Sequence, residues 1–304
     1  MTGTSKVFVC TGDGTIRTFK EEGGGLSGRL PVLGEDFTYT GNCQVIEDSV
    51  ANGQTNWRIK FLTSGVLTFA SGVTIDVFAV GGGGGGGVSS DYLEYAGTDG
   101  GQSSGFGSTA NGGKCCGIHT KSGSKKYVYA GAGGSGGGSG HCNGGSDGSN
   151  GGTYSLNGDK YYTYGGNGQG STTREFGEST GDLYAGGGGG ATSTIWSSGT
   201  YSGGEGGGGD GQYLNQTGTT ITNLQNGTAN TGGGGGAMGT SGNQDAWGGG
   251  GGGGYTTTQK SVYLEKDGSY DIVIGAGGTG CNQNKSSYAG SGGSGVVIIR
   301  NHRE

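Results

Sequence analysis

Glycine-rich runs recur along most of this chain, and they restrict its fold more than any other feature. The main runs are 81–87, 133–140, 186–190, 203–209, 232–236 and 248–254. Residues 1–80 contain only 12 of the 85 Gly, so the composition changes near Val80. With 28% hydrophobic residues, the 304-residue chain has too little apolar surface for the core of an ordinary enzyme of this length.

Three structures accommodate so much glycine: collagen, a flexible linker and an ordered array of glycine helices. Collagen needs a strict Gly-X-Y period and abundant Pro, whereas this chain has one Pro. A linker stays open as an alternative, although 16 Tyr, 3 Trp and 8 Phe are more aromatic residues than linkers carry. Ordering seven glycines costs about 7–14 kcal/mol of backbone entropy. Hydrogen bonds between closely packed three-residue-per-turn helices, each contributing about 1 kcal/mol, would offset that cost.

The segments that flank the glycine-rich part have β character, because apolar and polar residues alternate between turn signals. The predicted strands are Lys6–Cys10, Thr15–Phe19, Trp57–Phe61, Val66–Phe69, Ile75–Val80, Tyr270–Ile274 and Val296–Arg300. No segment repeats apolar residues every 3.6 positions, so we expect almost no α-helix. Strands at both ends of the chain are expected to pair and to hold the glycine-rich part between them.

Several strings in this sequence resemble a known type of domain. WRIKFLTSGVLTF (57–69) and TIDVFAVGGGGGGG (74–87) resemble the start of the glycine-rich domain of phage tail-fibre and prophage-encoded proteins. YDIVIGAGG (270–278) and GSGGSGVVIIR (290–300) resemble its end. AWGGGGGGGY (246–255) is similar to runs in the glycine-rich extracellular region of anaplastic lymphoma kinase. The resemblance covers roughly residues 57–300.

The resemblance implies a mainly β fold, a β-sandwich with an inserted bundle of packed polyglycine II helices. We expect an N-terminal β attachment segment at 1–56, sandwich strands within 57–80 and 261–300, and the polyglycine-helix domain at 81–260. In phage adhesins of this type, loops at the distal end of the bundle contact the bacterial receptor. The resemblance therefore implies a virion receptor-binding protein rather than an enzyme.

The same resemblance implies the partners. They would be a bacterial cell-surface glycan or outer surface protein. Residues 1–56 lie outside the resemblance, and we expect them to join the protein to a neighbouring virion protein. The N-terminus does not resemble a secretory signal, so we expect synthesis in the host cytoplasm and release with the virion. Tail fibres are often trimeric, and a homotrimer and a single closed chain are both compatible with the sequence. A structural fibre or decoration protein is an alternative function, and an ice-binding protein is a weaker one.

The segments between the glycine runs have the composition of antibody binding loops, rich in Tyr, Ser, Asn and Thr. The predicted receptor contacts are Tyr92, Tyr95, Trp196, Tyr201, Tyr213 and Tyr288. The alternative is that these rings pack flat on glycine backbone. Tyr127, Tyr129, Tyr255 and Tyr270 lie in strand-like patterns and are predicted to be structural.

Other chemistry is weakly indicated. The net charge of −6 and the lack of Lys/Arg-rich runs argue against nucleic-acid binding. The apolar stretches are too short for membrane insertion. The acidic residues of the polar segments are predicted to be solvated rather than catalytic, namely Asp91, Glu94, Asp147, Asp159, Glu175 and Glu178. We therefore expect no enzymatic activity and no cofactor.

One group of Cys and His residues has the chemistry of zinc ligands. Its members are Cys115, Cys116, His119, His141 and Cys142. Their spacing matches no zinc module, so we expect buried thiols or a loop-closing disulfide and no metal. The six Cys allow fifteen pairings, and the sequence does not choose among them.

Overall fold

The chain is built mainly from β-strands, with almost no helix. The computed structural model describes residues 7–10, 29–51, 54–89, 94–122, 125–155, 161–193, 201–211, 225–239, 246–283 and 287–303. Within these residues, the helical content is a single 3-10 turn at Glu175–Gly177. The expected mainly β class with almost no α-helix is therefore confirmed.

The strands of the described residues are mostly short. They are β1 (Val7–Cys10), β2 (Phe37–Tyr39), β3 (Cys43–Ala51), β4 (Gln54–Phe61), β5 (Gly65–Phe69), β6 (Val73–Val80), β7 (Val88–Ser89), β8 (Glu94–Tyr95), β9 (Ser103–Gly105), β10 (Ser108–Ala110), β11 (Gly117–Ser122), β12 (Lys125–Tyr129), β13 (Tyr154–Ser155), β14 (Tyr161–Tyr164), β15 (Ala191–Ser193), β16 (Ala246–Gly248), β17 (Thr256–Leu264), β18 (Ser269–Ile272), β19 (Asn282–Gln283), β20 (Ser287–Tyr288) and β21 (Val296–Asn301).

A six-stranded antiparallel sheet joins the two ends of the chain in the order β1-β3-β4-β21-β6-β17. Val80, the last residue before the first glycine run, is paired with both Val296 and Thr256. Three strands therefore meet the glycine-rich part side by side, as the expected pairing of the two ends requires. β1 pairs with β3, and the predicted partner strand Thr15–Phe19 lies outside the described residues.

A second sheet of three strands, in the order β18-β5-β2, shares one core with the six-stranded sheet. Phe37, Leu67 and Ile272 of the smaller sheet pack in the same cluster as Ile59 and Val297 of the larger one. Each such side chain contributes about 1.5–3 kcal/mol when it is fully buried. Strands from the first 56 residues belong to both sheets, since β2 pairs with β5 and β3 pairs with β4.

The opposite face of the six-stranded sheet is covered by residues 173–185. Phe78 lies on this face, with its ring centroid 5.9 Å from that of Phe176 and 5.4 Å from that of Tyr184. Val80 and Ile298 complete the cluster. Because both faces of β6 are covered, its last six residues are all buried.

Backbone hydrogen bonds around the run Gly81–Gly87 repeat every three residues. The amides of Gly81, Gly84 and Gly87 donate to the carbonyls of Tyr255, Gly252 and Gly249. Those of Gly82 and Gly85 donate to Gly101 and Thr98, and those of Gly83 and Gly86 donate to Gly293 and Gly290. In each set the acceptor number falls by three as the donor number rises by three. The run therefore has three antiparallel neighbours, and successive residues face different neighbours.

The carbonyls of the same run accept hydrogen bonds from three further segments. The amides of Gly113 and Cys116 donate to the carbonyls of Gly82 and Gly85, and those of Gly278 and Cys281 donate to Gly83 and Gly86. The amide of Gly235 donates to Gly84. In the two pairs the numbering rises by three on both sides, so these neighbours are parallel. Six backbone segments thus surround one glycine run.

The close approach of these segments requires glycine. A Cβ atom added at any of residues 81–86 would lie 2.0–2.2 Å from a carbonyl oxygen of a neighbouring segment. That separation is well inside van der Waals contact and involves backbone on both sides, so no side-chain rotation relieves it. Closely packed backbone of this kind replaces the apolar core that the composition lacks.

Most connections between the glycine segments leave at one end, which we call the far end. It is the end marked by Gly87, Cys116, Gly249 and Gly290, opposite the six-stranded sheet. The register from segment to segment places at the far end the described residues that begin and end these connections, namely 88–89 and 94–96, 117–122 and 125–129, 153–155 and 161–164, 191–193 and 201, 211 and 225, 238–239 and 246–248, and 282–283 and 287–288. Connections at the other end, including β9–β10 and residues 173–184, pack toward the sheets.

Candidate functional site

The three predicted receptor contacts that the structure describes, Tyr95, Tyr201 and Tyr288, belong to connections of the far end. Tyr95 ends β8 and is paired with Val88, and Tyr288 ends β20 and is paired with Asn282. Tyr201 begins the return from its connection and is paired with Gly211. Tyr92, Trp196 and Tyr213 lie outside the described residues. The chain path therefore brings the three described positions to one end, where they lie on separate strand pairings.

Tyr201 makes a specific contact with a histidine that follows a different glycine run. Its hydroxyl is hydrogen-bonded to Nδ1 of His141. The two rings are perpendicular, with their centroids 5.5 Å apart and an interplanar angle of 89°. Tyr201 is therefore held by its hydroxyl beside His141.

These two rings form one end of an open groove of about 740 Å³, which we call the flank groove. The groove runs beside the segments 142–146 and 149–152, from the far end toward the sheets. Its lining consists of His141, Cys142, Asn143, Gly144, Gly145, Ser146, Ser149, Asn150, Gly152 and Tyr201. The volume is in the range of small-molecule sites.

The polar side chains of the flank groove are held by neighbouring backbone. Oδ1 of Asn143 accepts a hydrogen bond from the amide of Ser202 at 3.0 Å, and Oδ1 of Asn150 accepts one from the amide of Gly168 at 2.8 Å. The Oγ atoms of Ser146 and Ser149 also accept from backbone amides. Each side chain is thus fixed through its oxygen, which leaves amide and hydroxyl hydrogens for a ligand.

Electrostatically, the flank groove is neutral. Burial lowers the pKa of His141 from its ordinary 6.5, so the imidazole is uncharged at neutral pH. Burial raises the pKa of the Cys142 thiol, which keeps it protonated. The other lining residues have no ionisable side chain apart from the Tyr201 phenol. The arrangement is a binding surface of donors and rings, without an activated nucleophile.

Sequence reasoning missed an exposed aromatic pair at the base of two far-end connections. Tyr129 and Tyr164 stack with centroids 5.1 Å apart and planes inclined by 12°. The two residues are 41% and 38% exposed, which places them among the few exposed large side chains of the described residues. Tyr129 was predicted to be structural. Its backbone is paired with Tyr164 of β14, but its side chain lies at the surface.

The proposed zinc ligands do not converge in the part of the chain that the structure describes. No group of three or more His, Cys, Asp or Glu residues there is arranged to hold a metal ion. Burial raises the pKa of Cys115 to about 11 and that of Cys116 to about 12. Cys115, Cys116, Cys142 and Cys281 are free thiols, and the side chain of His119 lies outside the described residues.

The prediction that Glu175 is solvated is wrong. Its side chain is only 2% exposed, and it pairs with Arg58 and Lys60 of β4. Beside it, Arg300 is buried against Asp76 and the ring of Phe176. These charges hold residues 173–184 on the sheet. Composition gave no sign of this role, because the basic partners lie more than a hundred positions away.

Comparison with protein-family models, curated proteins and solved structures found no match for the chain. Among the described residues, there is no helix of the length and apolar character that would span a bilayer. The functional assignment therefore depends on the geometry of the far end and the flank groove.

Proposed function

We propose that the glycine segments are polyglycine II helices packed as a bundle, inserted into a β-sandwich formed by the two sheets. The three-residue repeat of hydrogen bonds around Gly81–Gly87 supports the helix assignment, since polyglycine II has three residues per turn. The six neighbours support a hexagonal bundle. The shared core of the six-stranded and three-stranded sheets supports the sandwich.

We further propose that the protein is a virion receptor-binding protein, a tail-fibre adhesin that contacts a bacterial surface receptor with its far end. One observation carries this proposal. Most connections between the glycine segments, including those of Tyr95, Tyr201 and Tyr288, leave at the end opposite the sheets, so a rigid body would present them together. The sheet end, which includes strands of residues 1–56, would join a neighbouring virion protein.

The test is binding of the purified, fluorescently labelled protein to intact bacteria, measured on a panel of strains. Saturable binding to some strains only, together with inhibition of phage adsorption to those strains, is the expected result. Folded protein that binds no strain and is recovered inside purified particles would instead favour a structural virion component.

Matched tyrosine variants locate the contact. Tyr95→Ala and Tyr288→Ala change two predicted contact positions in strand pairs of the far end, and we expect at least about a threefold loss of cell binding from one of them. Tyr263→Ala is the control, because Tyr263 is 65% exposed on β17 at the sheet end. Equal loss in Tyr263→Ala and the far-end variants would contradict a contact through the far end.

A further inference from the structure

The flank groove has a donor pattern that matches one class of ligand. Asn143 and Asn150 are fixed through Oδ1, so the Nδ2 groups are directed donors. Ser146 and Ser149 add two hydroxyl groups. Fixed amide and hydroxyl donors beside an aromatic ring suit sugar hydroxyls and the apolar faces of pyranose rings.

The charge and shape of the groove further restrict which ligands can bind in it. None of the lining residues is cationic at neutral pH, so an anionic sugar would lack a counter-charge. A peptide would need deep apolar anchor pockets. The floor of this groove is instead the backbone of Gly144, Gly145 and Gly152.

We propose that the flank groove binds a short neutral saccharide, with Asn143 and Asn150 donating to its hydroxyls beside the rings of Tyr201 and His141. This inference rests on the proposed adhesin function, because it makes a neutral surface glycan part of the receptor. It places the glycan on the side of the glycine bundle, whereas the tips of the connections remain free for other contacts.

In the first experiment, the whole protein is titrated with the neutral probes maltotriose and N,N′-diacetylchitobiose. Binding is measured by saturation-transfer difference NMR. The anionic 3′-sialyllactose and a neutral tetrapeptide serve as comparison probes. Saturable transfer to a neutral oligosaccharide is the expected result. Binding of neither neutral probe, or stronger binding of the anionic sugar or the peptide, would overturn the proposal.

Isosteric variants then test the donors. Asn143→Asp and Asn150→Asp keep the oxygen that accepts from backbone but remove the amide donor. We expect each to weaken saccharide binding about tenfold. Asn226→Asp is the matched control, since Oδ1 of Asn226 accepts from the amide of Ser291 outside the groove. Unchanged binding in both groove variants, or an equal loss in Asn226→Asp, would contradict the assignment.

The same variants separate this inference from the adhesin function. If Asn143→Asp and Asn150→Asp bind cells like the unmodified protein, the flank groove is not part of the receptor contact and the adhesin function stands. If neutral saccharides bind the groove but the protein binds no bacteria, the saccharide site stands and the adhesin function fails.

Discussion

At the residue scale, Glu175 is the buried charge on which the packing of residues 173–184 depends. Glu175→Gln would remove the buried counter-charge that Arg58 and Lys60 share, leaving Arg58 paired with Asp48 and Lys60 paired with the exposed Asp182. Breaking a buried pair in this way is expected to lower the free energy of unfolding by about 3 kcal/mol. Urea unfolding followed by Trp fluorescence measures the loss. Asp182→Asn is the control, because Asp182 is 69% exposed and its removal should cost less than about 0.5 kcal/mol; equal effects would contradict a special role for Glu175.

His141 gives the molecule a pH dependence of predictable sign. Burial lowers its pKa in the folded state, so as the pH falls below 6.5 the unfolded chain takes up the proton first. Stability contributed by neutral His141 is therefore present above 6.5 and is lost as the pH falls toward the lower folded pKa. Between about pH 8 and pH 5.5, we expect the urea midpoint to fall more for the unmodified protein than for His141→Gln. The same fall in both proteins would show that His141 is not responsible.

At the scale of the element, a single methyl group in a glycine segment should disrupt its packing. In Gly84→Ala the new Cβ would lie 2.1 Å from the carbonyl oxygen of Lys114. We expect a loss of about 3 kcal/mol or more, because overpacking against backbone has no easy relaxation. Gly105→Ala in β9 is the control, since its Cβ would meet its nearest neighbour at an ordinary 3.5 Å. Chemical denaturation followed by circular dichroism compares the two, and a tolerated Gly84→Ala would contradict the close packing described here.

The strands show which elements could be predicted from sequence patterns and which could not. Trp57–Phe61 was predictable because apolar and polar residues alternate, and Ile75–Val80 because it is apolar except for Asp76; both lie in observed strands. β17 was missed because Thr256–Leu264 is a mostly polar edge strand without an apolar face. Neighbour choice among the glycine segments could not be predicted, because identical residues without side chains carry no information about partners. Of the candidate site, sequence found Tyr201 but missed His141 as its partner, since only the folded chain brings the two together.

At the scale of the whole molecule, the glycine-rich part and the sheets should unfold as one unit. Phe78 and Val80 of β6 pack against residues 173–185, and the next residue begins the glycine run. Hydrogen exchange followed by NMR should therefore give the amides of Gly82–Gly86 the same slow exchange as Ile298. Phe78→Leu is expected to lower the free energy of unfolding by about 1.5 kcal/mol. It should therefore accelerate hydrogen exchange equally at the glycine amides and at Ile298. Exchange of the glycine amides at the rate of a disordered peptide would contradict this cooperativity.

Because the hydrogen bonds of Gly81–Gly87 repeat every three residues, the contacts of this run depend on its exact length. Loss of one residue within Gly81–Gly87 would turn every later residue by a third of a revolution, toward the wrong neighbour. Only insertions or deletions of three would keep each contact in step. The far end is constrained differently, because strand pairs such as β12 with β14 join its connections to one another. Insertions or deletions that keep those pairs would therefore change the far end without changing the packing of the glycine segments.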